Sequence, residues 1–220
     1  MNVLITGSSC GIGRATALKF LDEGHTVFGI DILPPIAPLS NRSNYKHYIC
    51  DVSSDNLPDL PAIDILINNA GVQDDETAID VNLKGLIAVT EKYGLQKNIK
   101  SILMNASVSA HNGSEFPRYA ASKGGVLAYT KYVAREVAKY GATCNSLSLG
   151  GVTTALNNPI INDEKLYKAV LDETLLKKWA SAEECAEWIY FLTVVNKSMT
   201  AQDVLVDNGE IMNQKFIWPE

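Results

Sequence analysis

Thr6-Gly7-Ser8-Ser9-Cys10-Gly11-Ile12-Gly13 follows the apolar run at residues 3–6 and opens a helical pattern at 12–23. Glycines at such a junction permit a tight turn and let backbone N–H groups approach a pyrophosphate at the positive end of a helix. The last glycine lets the helix pack closely on the strand. A glycine cluster by itself marks only a turn, so its position decides the reading. A strand precedes it, a helix follows, and an acid ends the next strand. That acid, Asp31, lies 18 residues beyond Gly13, where a carboxylate accepts both hydroxyls of an adenosine ribose. Taken alone, Asp31 also admits a reading as a plain turn residue.

Outward from this turn, short β-rich apolar runs alternate with helical patterns. Strands are expected at 3–6, 26–30, 46–50, 63–68, 101–105, 143–147 and 203–206, and helices at 12–23, about 77–93, 119–140, about 163–177 and 182–194. Most of the strand runs are not cleanly alternating, as expected for strands covered on both faces. Alternating strand and helix implies right-handed crossovers and a parallel sheet, the Rossmann-type doubly wound α/β class with about seven strands. Gly24 and Gly141 stand where a residue of positive φ ends a helix. Ser181 with Glu184 reads as a capping box. Pro34, Pro35 and Pro38 predict a loop rather than a helix before the third strand. Between Asp51 and Asp64 there is room for a helix of at most two turns. With no repeat, low-complexity tract or linker, residues 1–220 are expected to form one domain.

Composition narrows the function classes. The 220 residues are 46% hydrophobic and 20% charged, and 19 Lys+Arg against 25 Asp+Glu give a net charge of −6. That is ordinary globular usage, and the acidic balance argues against nucleic acid or an anionic membrane as the main partner. The cysteines Cys10, Cys50, Cys144 and Cys185 form no Cys-x-x-Cys pair, and His25, His47 and His111 are equally scattered, so no metal site is expected. Reduced thiols fit a cytoplasmic protein. No run approaches the ~20 apolar residues of a membrane span, and no signal peptide is expected at the start of the chain.

Tyr119 and Lys123 are four residues apart on one helix and share a face. An ammonium beside a phenol favours the phenolate and lowers its pKa from about 10, as a tyrosine exchanging a proton with an alcohol or ketone requires. The pair alone also occurs on solvated helix faces. Here it follows the glycine turn, Asn68-Asn69-Ala70-Gly71, Asn82 and Ser107 in that order. The chain thereby resembles the short-chain dehydrogenase/reductase family over nearly its whole length, through to Asp207-Asn208-Gly209.

The resemblance implies roles. Tyr119 handles the proton, and Lys123 binds the nicotinamide ribose and depresses the tyrosine pKa. Ser107 hydrogen-bonds the substrate oxygen. Because Ser107 precedes Tyr119 by 12 residues, one fewer than the family pattern, Ser109 stays a runner-up. Asn82 matches the helical asparagine that holds a proton-relay water, and its poor helix propensity suits a functional reason. Gly7, Ser9, Cys10, Gly11, Ile12, Gly13 and Asp31 form the expected cofactor cradle. Asp51 and Val52 match the adenine contact, and Asn69, beside Ala70 and Gly71, a ribose-side contact. Gly150, Val152 and Thr154 match the segment around the nicotinamide. Leu149 replaces the family's usual proline and Asn208 a glycine. The stretch from Gly71 to Asn82 is 11 residues, about half the family length, and lacks the start of a helix used in subunit packing. That puts the familiar tetramer in doubt; a homodimer is expected all the same, since Ala120, Ala121, Gly124, Gly125 and Ala128 of the helix at 119–140 permit close approach of another helix and the family uses this helix between subunits.

The expected function is NAD-dependent interconversion of a small-molecule secondary alcohol and a ketone, with NADP less favoured. A 3-oxoacyl carrier-protein reductase using NADPH is the alternative, and a non-catalytic dinucleotide sensor the remote one. An apolar cover over the substrate is expected from Leu156, Pro159, Ile160, Ile161, Leu166 and Tyr167. His111 reads as a solvated loop histidine, Trp179 and Trp188 as core or interface anchors, and Lys177-Lys178 as a solvated helix end.

Overall fold

Val3 and Ile5 turn to one face of a sheet and Leu4 to the other, and all three are fully buried. This two-residue period, with apolar side chains on both faces, is what makes a strand stable only between two helical layers. The computed structural model describes residues 1–54, 56–74, 76–114 and 116–213.

The chain runs β1 (Asn2–Thr6), α1 (Gly11–Asp22), β2 (Thr26–Asp31), β3 (Tyr45–Ile49) and β4 (Ile65–Asn68). It continues with α2, a composite helix over 79–94, then β5 (Ser101–Asn105), α3 (Ser109–Asn112), α4 (Pro117–Ala138) and β6 (Thr143–Leu149). After β7 (Val152–Thr153) come α5 (Asn158–Ile161), α6 (Glu164–Asp172), β8 (Ala180–Ser181), α7 (Ala182–Tyr190) and β9 (Asp203–Val206). Seven strands form one parallel sheet in the order β3-β2-β1-β4-β5-β6-β9, and β7 pairs with β8 outside it. The expected α/β doubly wound sheet is therefore the observed one.

Leu86 and Val89 of α2 and Val126, Val133 and Val137 of α4 cover one face. Phe20 and Leu21 of α1 and Ile189 of α7 cover the other. Burial of each such side chain contributes roughly 1.5–3 kcal/mol. The edge strands β3 and β9 are only partly buried, as strands with one neighbour are.

Most boundaries fall within two residues of those read from sequence. Gly24 and Gly141 end helices at φ +79° and +70°, and the Ser181–Glu184 capping box is present. Several details differ from the sequence reading. No helix forms among the described residues of 51–64: Asp51 Oδ1 ties down Ser53 in a turn, and Pro58 and Pro61 withhold N–H donors. The loop after β2 contains one 3₁₀ turn, Leu39–Asn41, with Leu39 buried as a plug. Helix α2 is wound as π turns at Ile79–Gly85 and Thr90–Gly94 around an α-helical Leu86–Val89. Helix α6 ends at Asp172 rather than near 177, where Lys177 takes φ +53°. Lys178, read as a solvated helix end, instead pairs with Glu184. No helix of the described residues is long and apolar enough to cross a membrane.

Candidate active site

In the sheet β1 is flanked by β2 and β4: the chain leaves β1 for β2 and β3 on one side and returns from β3 to β4 on the other, and this reversal of strand order opens a crevice at the carboxyl ends of the strands. A cleft of about 1100 Å³ occupies that place. Gly7 sits at φ +67°, and a Cβ added to Gly13 would lie 1.9 Å from the Gly7 carbonyl oxygen. Only glycine allows this approach, which folds the turn back against the start of α1. Asn69 completes the cradle by donating from Nδ2 to the carbonyls of Thr6 (3.1 Å) and Gly7 (3.2 Å), while Thr6 Oγ1 accepts from the Asn69 and Ala70 N–H groups.

Asp31 ends β2 at the cleft wall, 7% exposed. Its Oδ2 accepts from Ser9 N and its Oδ1 from Leu33 N, both at 2.9 Å. A carboxylate offers about four acceptor positions, so two backbone bonds leave capacity for a diol. The donor set and the glycine cradle fit an adenosine diphosphate group.

At the other end, Tyr119 in the first turn of α4 and Lys123 one turn later both face the cleft. Lys123 is 5% exposed; its Nζ donates to the Asn105 carbonyl at 2.8 Å and lies 5.7 Å from the centroid of the Tyr119 ring. Pro117 at the first helical position pre-sets α4 here. Ser107 lines the cleft and donates to Ser109 Oγ at 3.2 Å, whereas Ser109 does not reach the cleft. The geometry favours Ser107 over its runner-up.

Of the residues singled out from sequence, Gly7, Cys10, Gly11, Ile12, Asp31, Asp51, Val52, Asn69, Ala70, Gly71, Ser107, Tyr119, Lys123, Gly150, Val152 and Thr154 line this one cleft. Ser9, Gly13 and Asn82 do not. Ser9 is buried and buttresses Asp31; its Oγ donates to Leu33 O at 2.8 Å. Gly13 acts by close packing. Asn82, buried in the first π turn of α2, donates to Val72 O at 2.9 Å and accepts from Val72 N at 2.8 Å, pinning the loop after β4. Burial, then the Asp31 carboxylate, push the Cys10 thiol above its ordinary range, and burial, then Glu184 and Glu183, push Cys185 up to about 12. All four thiols are free.

Three placements differ from expectation. Trp179 lines the cleft rather than anchoring the core, resting on Gly151, with Tyr167 edge-on at 5.6 Å. His111 stays exposed, as expected, but sits in α3 rather than in a loop, with Nε2 2.8 Å from Asp203 Oδ2. Of the expected apolar cover, Leu156 and Ile160 line the cleft, joined by Val170, while Pro159, Ile161, Leu166 and Tyr167 do not. Trp188 is 43% exposed and packs edge-on against Phe191. Asn105 is a site residue that sequence reading missed. Beyond its carbonyl bond to Lys123, its Nδ2 donates to Asn69 Oδ1 at 3.1 Å. Its Oδ1 is buried without a hydrogen-bond partner, an acceptor at the cleft wall that suits a ligand hydroxyl.

A family model described as enoyl-(acyl carrier protein) reductase matches residues 7–210. A 3-oxoacyl-(acyl-carrier-protein) reductase of Thermotoga maritima is 30% identical, over 95% of this chain and 97% of that protein. A glucose 1-dehydrogenase of Gluconobacter oxydans is 31% identical, over 94% and 90%. Among solved structures, a putative 2-deoxy-D-gluconate 3-dehydrogenase from Agrobacterium tumefaciens with bound NADP superposes with a TM-score of 0.86 at 26% identity, covering 96% of each chain.

Proposed function

The chain belongs to the short-chain dehydrogenase/reductase family of NAD(P)-binding oxidoreductases acting on CH–OH groups of small molecules, and from that premise we propose that it interconverts a secondary alcohol and a ketone with NAD as its preferred cofactor. The observation that carries the reading is the convergence of Tyr119, Lys123 and Ser107 at one end of a cleft whose other end carries Asp31.

In the proposed reaction Tyr119 Oη passes a proton to the carbonyl oxygen of the ketone, or takes it from the alcohol. Ser107 Oγ holds that oxygen by a hydrogen bond. Lys123, seated on the Asn105 carbonyl, supplies a fixed positive charge beside the phenol and a donor for the nicotinamide ribose. The Asp31 carboxylate accepts the adenosine ribose hydroxyls. The nicotinamide, when bound, supplies or accepts the hydride. The wall of Trp179, Leu156, Ile160 and Val170 shields the reacting carbon from water.

NAD preference follows from charge. A 2′-phosphate beside Asp31 places like charges about 4 Å apart, a repulsion of roughly 4 kcal/mol at an effective dielectric of 20. Solvent absorbs much of that, but a remaining 1.4 kcal/mol is about tenfold in affinity. Two observations support the reading. The backbone bonds from Ser9 and Leu33 keep Asp31 from swinging aside. The Arg14 guanidinium, the nearest candidate for a phosphate partner in sequence, donates to Ala37 O at 3.0 Å. We expect kcat/KM with NAD to exceed that with NADP at least about tenfold, and Asp31→Ala to narrow the gap. Equal or better use of NADPH by the unaltered protein would overturn the preference and favour the carrier-protein reductase reading, which the Thermotoga relative also supports.

We further infer a homodimer assembled through α4. A Cβ at Gly124 would meet nothing within 4 Å, in contrast to Gly125, where it would strike Leu83. Gly124 therefore satisfies no packing need within the chain, and Tyr132 on the same helix is 51% exposed. Light scattering should report twice the monomer mass; a monomer at high protein concentration would reject the assembly.

A further inference from the structure

Four polar side chains outside the catalytic set converge at the sheet edge beneath α3. Ser146 and Ser148 alternate along β6 and so point to the same face, with Ser146 directly opposite Asp203, the first residue of β9. Asp203 Oδ1 accepts from Ser146 Oγ at 2.6 Å and Ser148 Oγ at 3.0 Å. Its Oδ2 lies 2.8 Å from His111 Nε2. An ionised carboxylate only accepts, so Nε2 carries the proton and donates to it. Both serines are buried, at 1% and 0% exposure. A hydrolytic relay requires aspartate and serine on opposite nitrogens of the imidazole. Here Ser148 Oγ, at 3.2 Å, meets the same Nε2 as Asp203, so the cluster holds position and attacks nothing.

What it holds is a wall of the cleft. His111 lies on the α3 turn between Ser107, which bonds Ser109 on that turn, and Asn112 and Ser114, which line the cleft. The turn is four residues long, closed by Gly113 at φ +68°. It is too short to hold its shape by its own hydrogen bonds. We propose that His111, fastened to Asp203, is a positioning residue that fixes the α3 turn and with it the substrate-side wall. This rests on the oxidoreductase reading of the cleft.

The test compares His111→Ala, Asp203→Ala, their double variant and His111→Gln, whose amide N–H reaches the same carboxylate. Amide exchange across 109–113 should quicken about tenfold in each alanine variant, matching the loss of roughly 1.4 kcal/mol from a charge-assisted bond. With ethyl acetoacetate and NADH as probes, KM for the ketone should rise about tenfold, while kcat and NADH affinity stay near those of the unaltered protein. The double variant should be no worse than either single one, and His111→Gln should restore most of the loss. Unchanged exchange and KM in His111→Ala, additive single effects, or a lowered melting temperature with KM intact would each overturn the proposal. If the unaltered protein binds no NADH, the oxidoreductase reading falls, and the exchange comparison still decides whether the clasp exists.

Discussion

Tyr119→Phe should lower turnover by at least about 100-fold, within the 10²–10⁴-fold that a positioned general acid or base contributes. The substitution removes one oxygen and keeps the ring, so the packing of α4 and the cleft wall survive it. Affinity for NADH, measured by fluorescence titration, should be nearly unchanged, because the cradle of Gly7, Gly13 and Asn69 and the Asp31 carboxylate lie at the far end of the cleft. A variant retaining most of its turnover would remove Tyr119 from the mechanism.

Lys123→Met should be worse, because it strikes two functions at once. Methionine keeps much of the side-chain volume, so the buried position is not left as a cavity. It abolishes the bond to the Asn105 carbonyl, the ribose donor and the charge beside the phenol together. Turnover should fall below that of Tyr119→Phe. NADH affinity should weaken roughly 10- to 100-fold, the equivalent of a charge-assisted hydrogen bond of about 1.5–3 kcal/mol. Cofactor affinity equal to that of Tyr119→Phe would show that Lys123 does not reach the ribose.

The sheet was legible because short β-rich apolar runs alternating with helical patterns, and a glycine turn between strand and helix, admit few alternatives. The cofactor end of the cleft was legible for the same reason: Gly7, Gly11 and Asp31 are bound to particular positions in a strand–turn–helix unit. Ser9, Gly13 and Asn82 belong to the same motifs, yet their side chains or Cα atoms face protein. Motif spacing specifies a neighbourhood and leaves open which way a side chain turns. Asn105 escaped because its main role is played by a backbone carbonyl, which has no side-chain signature. Trp179 was misplaced because its position is set by a contact distant in sequence, the bare backbone of Gly151. The first π turn of α2 holds Asn82 and Gly85 against the loops carrying Val72 and Val52, a tertiary contact that helix propensity does not report.

The most direct test of the central claim is a panel of secondary alcohols and ketones assayed by NADH absorbance, with the unaltered protein and Tyr119→Phe side by side. The account predicts at least one alcohol that generates NADH and a matching ketone that consumes it, both nearly silent in the variant. Tight NADH binding with no member of a broad panel turned over by the unaltered protein would contradict it, leaving a protein that binds the dinucleotide without catalysis.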